Sequence, residues 1–114
     1  MKLTQREVRV LEVSGTPKER GLDHGRALRD QIRELILGFK MELARDFQVD
    51  PEVFIRKFED ATDVMPAIDK WTPGLLDEVR GIAEGAGLPF EEVYAFQLAD
   101  EIWSMGRWAL RDKC

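Results

Sequence analysis

Cysteine, histidine and long apolar runs are nearly absent from this sequence, and each absence excludes a class of protein. The 114 residues contain one cysteine and one histidine, too few for an internal disulfide or for a zinc site built from these residues. No segment approaches the roughly 20 apolar residues of a transmembrane helix, and the N-terminus lacks the apolar core of a signal peptide. We therefore expect a cytoplasmic protein with no membrane partner, no metal and no bound cofactor.

Basic residues are also fewer than acidic ones. Seventeen lysines and arginines stand against 22 aspartates and glutamates, which gives a formal net charge of −5, and no basic block forms. This balance argues against a nucleic-acid partner, because phosphate backbones are bound by clustered basic side chains. Hydrophobic residues make up 44% of the chain, enough to argue against disorder. The length corresponds to a single domain over residues 1–114.

One segment has the alternating pattern of a β-strand. Residues 7–13 read Glu-Val-Arg-Val-Leu-Glu-Val, with polar and apolar side chains in turn and several β-branched residues. No second segment of this kind occurs, and a lone strand cannot satisfy its own backbone hydrogen bonds. We therefore predict that the strand over 7–13 pairs with a strand outside these residues.

Helix-start signals divide the remainder into about four predicted helices between residues 16 and 103. Thr16 and Glu19 form a capping box around Pro17. Later starts are predicted at three pairs: Asp50-Pro51, Thr72-Pro73 and Leu88-Pro89. The predicted fold class is therefore α+β, with one N-terminal strand, a helical layer over 16–103 and a tail over 104–114.

Glycine and proline mark where these helices should bend, end or pack closely. Gly21 and Gly25 lie four residues apart on one face of the first predicted helix, which favours close packing against another element. The alternative to close packing is that the glycines of this predicted helix indicate a bend or a break near Gly38. Pro66 predicts a kink or an end in the second predicted helix, since it removes an amide donor. Gly87 is typical of the residue that closes a helix.

Few residues indicate catalysis on their own. The chain has no Gly-x-Gly-x-x-Gly, P-loop or Gly-x-Ser-x-Gly motif. We interpret His24 as a packed or surface residue, and Asp60, Asp63 and Asp69 as an acidic surface without EF-hand spacing. The aromatic side chains considered as ligand-stacking groups are assigned to the core: Trp71, Tyr94, Trp103 and Trp108. Cys114, combined with an unpaired strand, suggests a chain cut at a functional position.

Two blocks, in this order and followed by a cysteine, are similar to a known family. They are residues 10–28, with VLEVSGTPKERG and HGRAL, and residues 76–93, which read LDEVRGIAEGAGLPFEEV. Both resemble the precursor segment of the acyl-coenzyme A:6-aminopenicillanic acid acyltransferase family. Its members are autoproteolytic N-terminal-nucleophile hydrolases with a cysteine nucleophile.

The resemblance implies a precursor that cleaves itself at the Lys113–Cys114 bond. Residues before the bond would form a small subunit that is inactive alone, and Cys114 would become the N-terminal nucleophile of a large subunit. It also implies an αββα sandwich, in which the strand over 7–13 joins a sheet completed by that large subunit. The substrate would be a small-molecule amide or acyl compound, and a coenzyme A thioester could serve as the acyl donor.

The chemistry of such a junction explains how one cysteine could act. Its thiol would attack the Lys113 carbonyl and form a thioester, which water resolves. Cleavage frees an α-amino group with a reference pKa of about 7.7–8.0, which can take the thiol proton. The substrate's acyl group would then pass through a second thioester to water or to an amine.

The alternative is a non-enzymatic helical interaction module. It would add its N-terminal strand to the sheet of a partner protein, a recognition mode that uses exposed strand edges. This module would be stable by itself, whereas the small subunit of a hydrolase would depend on its large subunit.

Overall fold

Residues 10–104 are described by a computed structural model, and they form a series of packed helices. Their bounds are α1 (Pro17–Ala27), α2 (Arg29–Phe47), α3 (Pro51–Thr62), α4 (Met65–Trp71), α5 (Leu75–Ala86) and α6 (Phe90–Gln97). Residues 99–104 are helical again. None of the helices in this range is long and apolar enough to cross a membrane.

The predicted α+β fold class is wrong for the described residues. Residues 10–13 of the predicted strand form no strand, and no sheet occurs between residues 10 and 104; residues 7–9 lie outside the described range. Val10 is 77% exposed and Leu11 39% exposed, so the alternating pattern does not correspond to a buried face. A strand requires a hydrogen-bonded neighbour, and the described part of the chain supplies none. The expected αββα sandwich is wrong for the described residues for the same reason, since they contain no strand.

Helix starts that depend on local capping are confirmed. The Thr16 hydroxyl accepts a hydrogen bond from the Glu19 amide at 3.2 Å and begins α1. The Asp50 carboxylate accepts from the amides of Glu52 and Val53 at 2.9 and 3.2 Å and begins α3. These contacts span only two or three residues, so the sequence alone contains them.

Other helix boundaries differ from the predictions. The predicted long first helix divides at Leu28, and α2 then continues through Gly38 without a break. The end expected near Pro66 occurs at Thr62, where α3 stops. Pro66 itself lies in the first turn of α4, where its missing amide is not needed. The predicted start at Pro73 is displaced to Leu75, because Gly74 first turns the chain with φ of +89°.

Helices α1 and α5 pack with their backbones in contact. Gly21 and Gly25 of α1 face Gly81 and Gly85 of α5. A Cβ atom on Gly25 would lie 2.9 Å from the amide nitrogen of Ala86 and 3.0 Å from the Cα of Gly85. There is no room for a side chain between the two helices. The close packing predicted from Gly21 and Gly25 is therefore confirmed.

An arginine of α2 fixes that helix to the end of α5. The Arg33 guanidinium donates to the carbonyls of Ala86 and Gly87, at 3.1 and 2.8 Å. Carbonyls at the end of a helix lack intrahelical donors and carry partial negative charge, so a cation there is favourable. Gly87 itself ends α5 with φ of +70°, as its position in the sequence predicts.

The apolar side chains form two buried clusters on either side of α6. One joins α2, α3, α6 and the helical residues 99–104: Phe39, Leu43, Phe54, Ile55, Phe58, Ala95 and Ile102. The other joins α5 and α6, with α4 packed against it: Leu76, Val79, Ala83, Val93 and Tyr94. Leu98 packs against both clusters, so residues at the end of α6 connect the two halves of the core.

Candidate functional site

The catalytic residues predicted from the sequence cannot be placed. Lys113 and Cys114 lie outside the described residues, as does Trp108. Of the predicted tail over 104–114, only Ser104 is described, and it is the last residue of the helical segment 99–104. The cysteine chemistry therefore remains a prediction.

The other residues considered at the sequence level do not come together in a site. His24 is half-buried in α1. Between residues 10 and 104, no three histidine, cysteine, aspartate or glutamate side chains are grouped so that they could hold a metal ion. The aromatic prediction is mixed, because Tyr94 is buried in the core at 3% exposure while Trp71 is 75% exposed.

A concave surface runs along α2 among the described residues, and it is called here the α2 groove. It lies between α2 and the helical residues 99–104, with a volume of about 600 Å³. Its floor is apolar and consists of Leu35, Gly38, Phe39, Phe96, Ala99 and Trp103. Its rim is polar and consists of Gln31, Glu34, Glu42 and Asp100. Within the described part of the chain, the rim therefore carries carboxylates and no basic side chain.

The aromatic floor of the α2 groove is held in place by ring packing and one hydrogen bond. The Phe39 ring meets the Phe96 ring edge to face at a centroid distance of 5.3 Å and the Trp103 ring at 6.0 Å. The Trp103 indole donates from Nε1 to the Asp46 carboxylate at 2.9 Å. Because each ring is fixed by a neighbour, the floor has a defined shape before any ligand arrives.

Gly38 leaves the centre of this floor open. A Cβ atom built on Gly38 would meet no described atom within 4 Å. Beside the groove on the same helix, Leu37 and Met41 are 58% and 64% exposed, and Leu35 on the floor is 52% exposed. The outer surface of α2 is therefore apolar around a position that has no side chain.

A second, acidic depression lies between α3 and the start of α6, and Glu59 is its unusual member. Glu52, Glu91 and Glu92 line it together with Glu59, and Arg56 is the one basic side chain among the described residues of its lining. The Oε1 atom of Glu59 is buried and has no hydrogen-bond partner among the described residues. Burial, followed by the charges of Glu91 and Asp60, raises the pKa of Glu59 to about 7. This carboxyl group therefore titrates near neutrality.

Lys40 of α2 balances part of this acidic surface. Its ammonium group donates to Glu92 Oε2 at 3.1 Å and lies 3.5 Å from Glu52 Oε1. Desolvation acts to lower the pKa of Lys40, but the hydrogen bond and charge of Glu92, with help from Glu52, outweigh it and the pKa is raised. Glu92 is only 8% exposed, so it depends on this partner.

Sequence reasoning missed both features for identifiable reasons. The spacing of Leu35, Gly38 and Glu42 places them on one face of α2, but the pattern does not show that this face borders a groove. The acidic residues Asp60, Asp63 and Asp69 have the pattern of a solvated surface. The depression that contains Glu59 also requires residues at the start of α6, which are distant in sequence. Comparisons of the chain with protein-family models, with curated proteins and with solved structures find no match.

Proposed function

We propose that this chain is the small subunit of an autoproteolytic cysteine N-terminal-nucleophile amidohydrolase or acyltransferase. The main support is that the two blocks carrying the family resemblance contact each other. Gly21 and Gly25 belong to the first block, and Gly81 and Gly85 belong to the second. The two blocks are some 60 residues apart in the sequence, but their glycines meet in the contact between α1 and α5. The residues that carry the resemblance therefore belong to one packed pair of helices.

In this proposal the described helices are a scaffold and the chemistry takes place at Cys114. The thiol attacks the Lys113 carbonyl carbon, the peptide C–N bond breaks, and the α-amino group of Cys114 leaves with a proton. Water then hydrolyses the thioester, which regenerates the thiol and frees the carboxyl group of Lys113. The new α-amino group accepts the thiol proton in each later acyl transfer.

The partner in this proposal is the large subunit from the same precursor. The substrate is a small-molecule amide whose acyl group forms a thioester with Cys114 before it passes to water or to an amine. A coenzyme A thioester is an alternative acyl donor for the same thiol. The proposed compartment is the cytoplasm.

The deciding experiment is intact mass spectrometry of the protein expressed from its complete reading frame. We expect two co-purifying chains, the larger of which begins at Cys114. Cys114→Ala should give one uncleaved chain, and Cys114→Ser should cleave more slowly because a hydroxyl is the weaker nucleophile. His24→Gln is the matched control, a half-buried residue with no proposed role, and it should be processed normally. A single wild-type chain, or cleavage of Cys114→Ala, would overturn the proposal.

The alternative is a non-enzymatic helical interaction module that adds its N-terminal strand to the sheet of a partner protein. Residues 10–13 form no strand in the described chain by itself, so this alternative requires that they become a strand on pairing.

A further inference from the structure

We propose that the α2 groove binds an amphipathic helix of a partner protein, with leucine-like side chains on one face and lysine or arginine flanking them. This inference does not depend on the proposed hydrolase function, because it uses none of the residues at the cleavage junction. It rests on three features of the described residues: the unfilled space at Gly38, the sign of the charge on the rim, and the length of the groove.

Gly38 differs from the other helical glycines because no described residue packs against it closely enough to require glycine. Gly21, Gly25, Gly81 and Gly85 each face backbone atoms that a Cβ atom would strike. At Gly38 the corresponding space is open among the described residues. Glycine inside a helix is less favourable than alanine, so the missing side chain weakens α2 without improving its packing. An occupant that approaches the backbone of α2 at this position explains the glycine.

The rim determines the charge of that occupant. Glu34, Glu42 and Asp100 line the groove, and among residues 10–104 no lysine, arginine or histidine does. The cations near this part of α2 are engaged on other surfaces. Lys40 pairs with Glu92, and Arg33 binds the carbonyls at the end of α5. An approaching cationic segment is attracted, whereas a second copy of this chain, with a net charge of −5, is repelled.

The dimensions fit a helix of about three turns. The groove-lining residues of α2 run from Gln31 to Glu42, which is about 16 Å at roughly 1.5 Å per residue. The floor between them is apolar, and Phe39, Phe96 and Trp103 hold its shape. An apolar floor with a charged rim is the arrangement by which grooves accept amphipathic helices. Over Gly38, a large side chain of the partner can approach the α2 backbone directly.

The proposal is tested with two synthetic helical peptides and the full 114-residue chain. Both peptides carry leucine at helical spacing; one has lysine and the other glutamate at the remaining positions. Backbone amide shifts in two-dimensional NMR locate binding. We expect saturable shifts at Leu35, Gly38 and Phe39 with the lysine peptide and none with the glutamate peptide. Affinity should fall as salt is added, because the rim charges are exposed.

A variant that fills the floor makes the test specific. Gly38→Leu should weaken binding of the lysine peptide by at least about tenfold, as expected when a central contact is blocked. Lys57→Leu, a change of an exposed residue on α3, should bind like the wild type, and circular dichroism would verify that both variants are folded. Equal binding of both peptides, shifts located elsewhere, absence of groove shifts at millimolar peptide, or unimpaired binding by Gly38→Leu would each overturn the proposal. Concentration-dependent shifts of the same amides without peptide would replace it with self-association.

Discussion

Gly25 of α1 and Gly85 of α5 face each other so closely that a Cβ atom on Gly25 would lie 3.0 Å from the Cα of Gly85. The reverse construction gives the same result, since a Cβ atom on Gly85 would lie 3.0 Å from the carbonyl carbon of Gly25 and 2.7 Å from the amide nitrogen of Arg26. Backbone is on both sides of the contact. No rotation of a side chain could therefore relieve a clash, and the helices would have to separate.

Gly85→Ala should destabilise the protein. Alanine is the better helix former by about 1 kcal/mol, yet the added methyl group has no space, and overpacking of this kind typically costs about 1–3 kcal/mol. We expect a net loss of up to about 2 kcal/mol in the free energy of unfolding, because the methyl group would meet backbone atoms that cannot rotate away. Urea denaturation followed by circular dichroism measures it, and unchanged stability would show that α1 and α5 are further apart than described.

Gly38→Ala is the matched substitution with the opposite expected sign. The same methyl group enters open space at Gly38, so only the helix propensity changes. We expect the free energy of unfolding to rise by up to about 1 kcal/mol. The pair should be measured under identical urea conditions, since a loss of stability at Gly38 would mean that this position is packed within the chain.

Stability should fall as the pH rises through the titration of Glu59. Its folded pKa of about 7 lies above the ordinary value of 4.5, so the folded state holds the proton more tightly than the unfolded state. The Glu59 contribution is therefore fully present below about pH 4.5 and is lost by about pH 7.

Glu59→Gln isolates this contribution, because glutamine remains neutral at both ends of that range. At pH 8 the variant should be more stable than the wild type by about 1–2 kcal/mol, a figure reduced for solvent screening of a partly exposed group. At pH 4 the two should be similar. Asp69→Asn, at an exposed carboxylate of α4, is the control and should leave the wild-type pH profile unchanged. A profile for Glu59→Gln parallel to that of the wild type would contradict the assignment.

Lys40→Met should destabilise the chain by leaving Glu92 without its partner. Methionine preserves most of the aliphatic contact, but the nearly buried Glu92 carboxylate loses its hydrogen bond, at a cost of about 1–3 kcal/mol. Adding Glu92→Gln to that variant should recover part of the loss, which a double-mutant cycle by urea denaturation would measure. Glu52→Gln tests the exposed partner, with a side chain 68% exposed, and should change stability by less than about 1 kcal/mol. Equal effects at Glu52 and Glu92 would contradict the assigned burial.

The fold could be predicted from the sequence where the determining contacts are local. Thr16 and Asp50 cap helices through amides two or three residues away, and the sequence contains both partners. The division at Leu28 has no such signal, because neither glycine nor proline marks it. The error over residues 7–13 has a related cause, since alternation describes how a strand would present its side chains but does not supply the neighbouring strand.

The candidate site was less predictable because it depends on distant segments. Gly21 and Gly25 indicate a close contact, and Gly81 and Gly85 have the same four-residue spacing, but spacing alone does not show that these two glycine faces pack together. The α2 groove requires Trp103 to lie beside Phe39. In the α2 groove no described residue packs against Gly38. From the sequence pattern alone, a glycine at an open position cannot be distinguished from a glycine that bends the helix.

The contact between α1 and α5 also sets the order of events during synthesis. At the roughly 5–20 residues per second typical of ribosomes, several seconds pass between the emergence of Gly25 and that of Gly85. During that interval α1, whose buried residues are Gly21 and Gly25, has no α5 surface on which to pack its glycine face. Helix α1 must therefore remain without its partner until most of the described chain has been made, and it can dock once α5, which precedes α6, has emerged.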